Sequence, residues 1–371
     1  MPRIPRKFVF DPTEVGVYHC INRCVRRAFL CGTDDLTGKC FDHRKVWIQQ
    51  RLALLAANFG VDVLGFSIMS NHIHVVVRNR PDIVAAWSDD EVARRWWNLF
   101  PQRKDRDGRP AEPTDAELSM TTAIPKRLAE VRTRLSSLPW FMRTLVEPIA
   151  RQANREDKCS GRFWEGRYLC QPLLDEPALA GCMLYVDLNP IRAGIAETPE
   201  TSRFTSAYER ILAMTEKLHV DGATQPSDDV TQSSDSIPAT AVDSAKHAAW
   251  LSPFELSETA GSEPVPATRA SNTGCLPMSF AEYLQLFEWT GRQVREDKTG
   301  VIPGSLAPIL DRLQVSHENW LKLVQDFRRR FRRAAGTPAS LQKEAQKRGC
   351  RYMHGIVHSR AIFGTPPRSS A

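Results

Sequence analysis

The 371-residue chain is 42% hydrophobic and 25% charged, and its formal net charge is +7 at pH 7. This is the composition of an ordinary globular chain with one large or two modest domains. It has no apolar run of about 18 residues and no charged-then-apolar leader, which argues against a membrane-spanning or secreted protein. We therefore expect a cytoplasmic protein without a membrane partner. The nine cysteines lack zinc-knuckle spacing and are expected to be reduced thiols.

The charged residues divide the chain into three regions. Residues 276–371 hold 16 Lys and Arg against 8 Asp and Glu, whereas residues 217–275 hold 3 against 8. A pI near 9.0 with clustered positive charge favours a polyanionic partner such as DNA. The acidic range is also rich in Ser, Thr, Ala and Pro, which predicts a disordered linker over 217–275. It would connect a domain over 1–216 to a basic helical region over 276–371.

The first third of the chain predicts half of a ferredoxin-like βαββαβ sheet. The β-branched and aromatic segment 15–22 predicts a strand, and apolar residues at helical spacing over 41–59 predict a helix. Two apolar runs separated by a short polar turn within 63–77 predict a β-hairpin. Strand, helix, strand, strand is the first half of that unit. We therefore predict an α+β fold with an antiparallel sheet, followed by a helical insert over 81–157.

His72 and His74 lie in the second strand of the predicted hairpin, with Ile73 between them. Because side chains alternate along a strand, the two imidazoles share one face and lie about 7 Å apart along it. They could converge on one divalent cation if a third ligand comes from elsewhere. The alternative is a pair of partly buried polar residues on an edge strand, and the His-x-His pattern alone does not decide between the two.

Basic residues beside predicted strands are candidate DNA contacts. Arg23, Arg26 and Arg27 follow the first strand directly. Arg162 and Arg167 lie in the glycine-punctuated segment 160–172, where glycine lets a backbone approach a ligand closely. Guanidinium groups at a sheet edge suit phosphate, although a solvated basic loop is the commoner meaning of such clusters. The tryptophans of the helical insert have two possible roles. They would stack on unpaired bases or, as is more usual at helical spacing, belong to the hydrophobic core.

A helix predicted over 176–190 carries Tyr185 and Asn189 four residues apart, and therefore on one face, before it ends at Pro190. With the histidine strand and the basic glycine segment, this helix completes a family resemblance. SNHIHVVV at 70–77, GRFWEGRY at 161–168 and YVDLNPIRAG at 185–194 together resemble the single-tyrosine HUH transposases. Within that group the sequence is most similar to the REP-associated tyrosine transposases, over roughly residues 14–210.

The resemblance implies a ferredoxin-like sheet and cleavage of single-stranded DNA beside a hairpin. Residue by residue, it implies that Tyr185 is the nucleophile, that His72 and His74 are metal ligands, and that Asn189 is a third ligand. Asp187 stands where members of the family often carry a neutral polar or aromatic residue, or a histidine. This carboxylate would either join the metal shell or simply face solvent, and we do not assign it as a ligand.

The implied chemistry agrees with the residue types. A tyrosine hydroxyl with a pKa near 10 needs an electropositive setting or a base to attack a phosphodiester. Mg²⁺ or Mn²⁺ held by two imidazoles and an amide oxygen would orient the phosphate and stabilise the departing 3′ oxygen. The expected intermediate is a 5′-phosphotyrosine with a free 3′-hydroxyl, which permits strand transfer by a monomer or homodimer. Tyr168 and Tyr208 are reserve candidates for the nucleophile. We interpret Tyr168 as a strand or loop residue and Tyr208 as a packing residue.

Two helical patterns near the C-terminus, over 306–313 and 316–331, have helix-turn-helix spacing, with Ser316 as a predicted N-cap. A run of five arginines within 328–333 follows. One interpretation is an accessory module that binds hairpin or duplex DNA, with the protein associated with the nucleoid. The other is a small helical bundle with a solvated basic end.

Two other functions fit the sequence. One is a domesticated regulatory protein that keeps hairpin recognition and no longer moves DNA. The other is an unrelated metal-dependent hydrolase, in which Tyr185 would be dispensable. The combination of His72, His74, Tyr185 and Asn189 favours the transposase, because a binding module needs no such set.

Overall fold

The computed structural model describes residues 9–25, 30–33, 38–222, 247–256, 264–294 and 307–364. The strands are β1 (Gly16–Arg23), β2 (Val61–Ile68), β3 (His72–Asn79) and β4 (Leu169–Leu173). The helices of the first 222 residues are α1 (His43–Asn58), α2 (Pro81–Ala86), α3 (Asp89–Leu99), α4 (Asp115–Thr122), α5 (Pro125–Leu135), α6 (Leu138–Glu156), α7 (Glu176–Asp187), α8 (Asn189–Arg192) and α9 (Ser206–Gly222). The later helices are α10 (Phe280–Val294), α11 (Ala307–Arg312), α12 (His317–Gln325), α13 (Phe327–Arg330), α14 (Pro338–Lys347) and α15 (Ile356–Phe363).

The strands of the described residues form one antiparallel sheet in the order β2-β3-β1-β4. β1 lies at the centre because it pairs with both β3 and β4, and β2 pairs with β3. The predicted α+β class with an antiparallel sheet is therefore confirmed. A register shift between Val63 and Gly65 interrupts the β2–β3 ladder, and the two strands otherwise pair along their length.

Alternation along β3 assigns its side chains to two cores. Ile73, Val75 and Val77 are buried in the core that contains α1 and α6. Val76 is buried in the core that contains α7, and His74 lies on this side, where its ring contacts Tyr185. The sheet is thus covered by helices on both faces, and α7 covers the face that carries the two histidines.

Within the continuous range 38–222, helices α2 to α6 lie between β3 and β4. Within the predicted helical insert, α4 and α5 are separate helices, because Pro125 disfavours helical backbone at Ile124 and starts the next helix. The tryptophans pack as core: Trp97 is buried, and Trp96 contacts Trp140 with ring centroids 6.2 Å apart. Among the described residues, no helix has the combined length and apolar character needed to cross a bilayer.

Part of the predicted linker is folded against the sheet. Arg78 of β3 donates hydrogen bonds to the carbonyl oxygens of Thr273 (2.7 Å) and Gly274 (2.9 Å), and pairs with the buried Asp62. The backbone N–H of Ser252 donates to a β2 carbonyl oxygen. Disorder is therefore the wrong prediction for 247–256 and 264–275, whose backbones make these hydrogen bonds with the sheet. Residues 217–222 of the predicted linker are helical, as the end of α9, and the rest of it, over 223–246 and 257–263, lies outside the described residues.

The C-terminal helices pack against the domain that contains the sheet. Leu323 of α12 lies so close to Gly181 of α7 that a Cβ at position 181 would approach its Cδ2 to 2.9 Å. Trp320 is fully buried, and its Nε1 donates to the hydroxyl of Thr290 at 3.1 Å. The apolar face of α12, the second helix of the predicted helix-turn-helix pair, is therefore used for packing on α7 and α10.

The helix predicted over 316–331 is shorter in the structure. Ser316 caps α12 as predicted, accepting a hydrogen bond from the N–H of Asn319 at 3.3 Å, but the helix ends at Gln325. The short α13 follows, and the chain then runs beside β4. There Ala335 forms a parallel bridge with Leu173. This bridge holds the basic segment 328–333 beside the sheet edge.

Candidate active site

Tyr185 and two of the three predicted metal ligands, His72 and Asn189, line one cavity of about 860 Å³. The third, His74, is buried behind the cavity wall, where its ring contacts His72 and Tyr185. The rings of His72 and His74 lie 4.8 Å apart between centroids. Tyr185, on α7, faces His74 edge-on with centroids 5.7 Å apart. Helix α7 is placed by its apolar face on the sheet, and its first turn is capped by Asp175, which accepts from the N–H of Ala178. The histidine motif and the tyrosine motif thus come together in space.

His19 of β1 belongs to this site, although the sequence did not single it out. Its Nε2 lies 2.8 Å from Nδ1 of His74, and the two rings stack with centroids 5.0 Å apart. Alternation within the predicted strand places His19 on the face opposite Tyr18 and Cys20. Its pairing with His74 depends on the register between β1 and β3, which the sequence does not show.

Hydrogen bonds on Nδ1 determine what the two histidines can offer to a ligand. Nδ1 of His72 lies 2.5 Å from Oδ1 of Asn71, an oxygen that can only accept, so His72 keeps a lone pair on Nε2. Nε2 of His74 is buried and has no partner among the described residues. When Nδ1 of His74 donates to His19, its Nε2 also carries a lone pair. In many proteins, a hydrogen-bond acceptor on the ring nitrogen that does not bind the metal orients the imidazole in this way.

Burial sets the protonation of the site. It lowers the pKa of His72 to about 4 and the pKa of His74 well below its usual range. Both imidazoles are therefore neutral near pH 7, the form that binds metals. Burial also raises the pKa of Tyr185, while the charges of Arg328 and Arg192 oppose this effect. The phenol is thus protonated at rest, beside cations that would stabilise its anion.

Basic residues of the C-terminal region form one wall of the cavity. Arg328, Arg329 and Arg332 line it, and none of the three forms an ion pair with another described residue. Arg192, two helical turns after Tyr185, also lines it, and its guanidinium lies 5.7 Å from the Tyr185 ring centroid. The spacing of 185 and 192 is the signal that could have identified Arg192. No local pattern connects the C-terminal arginines to Tyr185.

The predicted DNA-binding arginines have different positions. Arg23 and Arg167 line a smaller cavity, of about 60 Å³, together with Arg328 of the active-site wall. Arg162 is exposed and lines neither cavity. Arg26 and Arg27 lie outside the described residues.

Asp187 points away from the cavity. Its Oδ1 accepts a hydrogen bond from the hydroxyl of Ser206 and its Oδ2 from that of Tyr283, both at 2.7 Å. The carboxylate is fully buried and does not join the histidines, so the suggestion that it faces solvent is wrong. Tyr168 is buried in the core on the other face of the sheet. The half-buried Tyr208 lies in α9, away from the residues that line the cavity.

The donor set determines what the site could hold. In the described part of the chain, no group of three or more His, Cys, Asp or Glu side chains is placed to hold a metal ion. The amide nitrogen of Asn189 is buried without a partner among the described residues, so this amide is free to turn its oxygen toward a cation. Two imidazoles and one amide oxygen fit a divalent cation that keeps open positions for phosphate oxygens.

Comparisons with known proteins add little to this geometry. Neither a family model nor a curated protein sequence matches the chain. Among solved structures, the chain is similar to a protein described as a "REP associates tyrosine transposase bound to a REP hairpin". The two are 10% identical, the alignment covers 60% of this chain and 93% of the other, and the TM-score is 0.29. A likeness this weak carries no argument, so the function is argued from the site alone.

Proposed function

We propose that this protein is a metal-dependent transposase that cuts single-stranded DNA near a hairpin and joins the cut end to another strand. Tyr185 is the nucleophile, and His72, His74 and Asn189 hold Mg²⁺ or Mn²⁺. The observation that carries the proposal is the approach of the Tyr185 ring to His74, with centroids 5.7 Å apart, in a cavity walled by arginines. A phenol, neutral imidazoles and unpaired guanidinium groups are what transfer of a phosphodiester to tyrosine requires.

The fold supports the same proposal. Strand order β2-β3-β1-β4, with α1 between β1 and β2 and further helices between β3 and β4, is the order expected of a ferredoxin-like sheet and supports that part of the proposal. Helix α7 is added on the opposite face and brings Tyr185 to the histidine strand. The resemblance of the sequence motifs is thus accompanied by a geometry in which the histidine motif and the tyrosine motif meet.

The chain's own residues supply position and charge for the reaction. Arg328 and Arg192 favour the phenolate of Tyr185, against the effect of burial. Attack by the Tyr185 oxygen forms a bond to phosphorus and breaks the bond to the 3′ oxygen, which takes the phenol's proton. The total number of phosphate ester bonds is unchanged, so the 3′-hydroxyl of another strand can reverse the step and complete strand transfer. A bound Mg²⁺ or Mn²⁺ would polarise the scissile phosphate and stabilise the departing oxygen.

The test is denaturing gel electrophoresis of the full-length protein with an end-labelled single-stranded hairpin from the DNA that flanks its own gene. With Mn²⁺ we expect a covalent band in which the protein carries the 5′ end of the downstream fragment. The band should disappear with chelator and in Tyr185→Phe, and should persist in Tyr208→Phe, the matched control. His72→Ala and His74→Ala should abolish the band by removing metal ligands.

Other outcomes point to other functions. Cleavage that persists in Tyr185→Phe would contradict the covalent mechanism and indicate a hydrolase. Tight hairpin binding without a covalent band, over several flanking sequences, would indicate a regulatory DNA-binding protein. Normal cleavage by both histidine variants would refute the metal assignment alone.

A further inference from the structure

A second cavity, of about 470 Å³, adjoins the active-site cavity. The two share Asp326, Arg329 and Arg332 as wall residues, so these side chains face both cavities. His354 and His358 line only the second cavity. Neither the sequence motifs nor the chemistry at Tyr185 accounts for this extension.

Positive charge in the second cavity exceeds negative charge. Its one acidic wall residue, Asp326, is paired with Arg330 at 3.0 Å, which leaves Arg329 and Arg332 without a carboxylate among the described residues. Nε of Arg330 is buried and has no acceptor in the described part of the chain. Partial burial and the nearby charge of Arg332 lower the pKa of His354. The cavity therefore has an excess of N–H donors and of positive charge, which suits an anion.

The basic wall is held in place by packing, unlike a solvated tail. Phe327 and Phe331, on either side of Arg328–Arg330, are buried. The N–H of Ala335 donates to the carbonyl oxygen of Pro172 in β4 at 2.9 Å. Because the segment is anchored at both ends, its backbone has a fixed position beside the cavity, and binding there need not order this stretch of main chain.

We infer that the second cavity binds the sugar-phosphate backbone of single-stranded DNA on one side of the scissile phosphate. The inference rests on the proposed function, which places the scissile phosphate at Tyr185. Guanidinium and imidazole groups can donate to consecutive phosphates along the shared wall from Arg329 to His358. A concave site of this volume accommodates one strand, whereas a duplex is too broad to enter it.

The test measures binding separately from cleavage. Full-length Tyr185→Phe protein is titrated against a labelled single strand of about 20 nucleotides, followed by fluorescence anisotropy. His358→Glu is then added to this background, because a carboxylate in the cavity repels phosphate. The matched control is His317→Glu, an exposed histidine of α12 that lines neither cavity. We expect His358→Glu to weaken binding about tenfold and His317→Glu to weaken it less than about twofold.

Each outcome decides the inference. Unchanged affinity in His358→Glu, or an equal loss in His317→Glu, would overturn it. Equal binding of a duplex of the same sequence, with the same sensitivity to His358→Glu, would also overturn it and indicate a duplex site. Because the measurement uses a protein without the nucleophile, a failure of wild-type cleavage would refute the proposed function and leave this result intact.

Discussion

Phe327 stacks on Tyr185, with ring centroids 5.9 Å apart and ring planes inclined by 27°. Phe327 opens α13, in the C-terminal region, whereas Tyr185 lies in α7 beside the sheet. The nucleophile proposed from the first domain is thus held by a residue from the last one. A fixed ring on this face restricts the orientation of the phenol relative to His74.

The stacking predicts that Phe327 matters more for cleavage than for folding. In Phe327→Leu, an apolar side chain still fills the core, so we expect a loss of stability of about 1 kcal/mol. The single-turnover cleavage rate should fall about tenfold, because the phenol loses its fixed orientation. Phe287→Leu is the control, since Phe287 is buried in the same core and its ring packs against Tyr283, away from Tyr185. Equal cleavage rates in the two variants would contradict a role for Phe327 in positioning Tyr185.

The buried Asp187 predicts a coupled pair of stability effects. Tyr283 and Ser206 each donate to this carboxylate, at 2.7 Å, and so tie the end of α7 to α10 and α9. We expect Tyr283→Phe to reduce the free energy of unfolding by about 1.5–3 kcal/mol, because a buried carboxylate oxygen loses its donor. Adding Ser206→Ala should give a non-additive loss, measured by urea unfolding as a double-mutant cycle. Additive losses, or a similar loss in the control Tyr208→Phe, would argue against a shared carboxylate.

Local patterns were enough to predict most of the elements and the positions of the site residues on them. Alternation along β3 placed His72 and His74 on one face, and helical spacing placed Tyr185 and Asn189 together. These predictions depend only on neighbours in sequence, which is why they succeed. The contact of His19 with His74 depends on strand register and could not be derived in this way.

Contacts between distant segments explain what the sequence did not reveal. The range 264–275 has a composition typical of disorder, yet Arg78 binds the carbonyl oxygens of Thr273 and Gly274. Nothing in a polar, proline-containing segment shows that a buried guanidinium on another strand needs its backbone. For the same reason, the arginines after Phe327 looked like part of a separate basic module, although they line the cavity of Tyr185.

The folded part of the predicted linker has its own test at Gly274. A Cβ at this position would lie 2.0 Å from the carbonyl oxygen of Glu255, so Gly274→Ala should separate 264–275 from 247–256. We expect the free energy of unfolding to fall by about 3 kcal/mol and the backbone amides of both segments to exchange hydrogen faster. Gly291→Ala is the control, because its Cβ would make an ordinary 3.5 Å contact with Leu188 and helix propensity would offset any cost. Unchanged exchange in Gly274→Ala would mean that the two segments are not docked together.

Glu282 predicts a pH-dependent contribution to the packing of the C-terminal region. It accepts hydrogen bonds from the N–H of Ser279 at 2.8 Å and from Arg312 at 2.7 Å, so it links α10 to α11. The Ser279 hydrogen bond, with the Arg312 charge, lowers the pKa of Glu282 below its usual range. A carboxyl whose pKa is lower in the folded state stabilises the fold above its unfolded pKa, and this stability disappears as the pH falls through the folded pKa.

We therefore expect Glu282→Gln to reduce the free energy of unfolding by about 1 kcal/mol near pH 7, which is the typical contribution of a helix-capping interaction. The difference in free energy of unfolding between the variant and the wild type should shrink as the pH falls below about 4, where the wild-type carboxyl also becomes neutral. Urea unfolding at several pH values measures it, with Glu288→Gln on the exposed face of α10 as the control. A cost for Glu282→Gln that stays constant down to acid pH would show that the residue acts through packing, because a charged hydrogen bond must weaken when its acceptor is protonated.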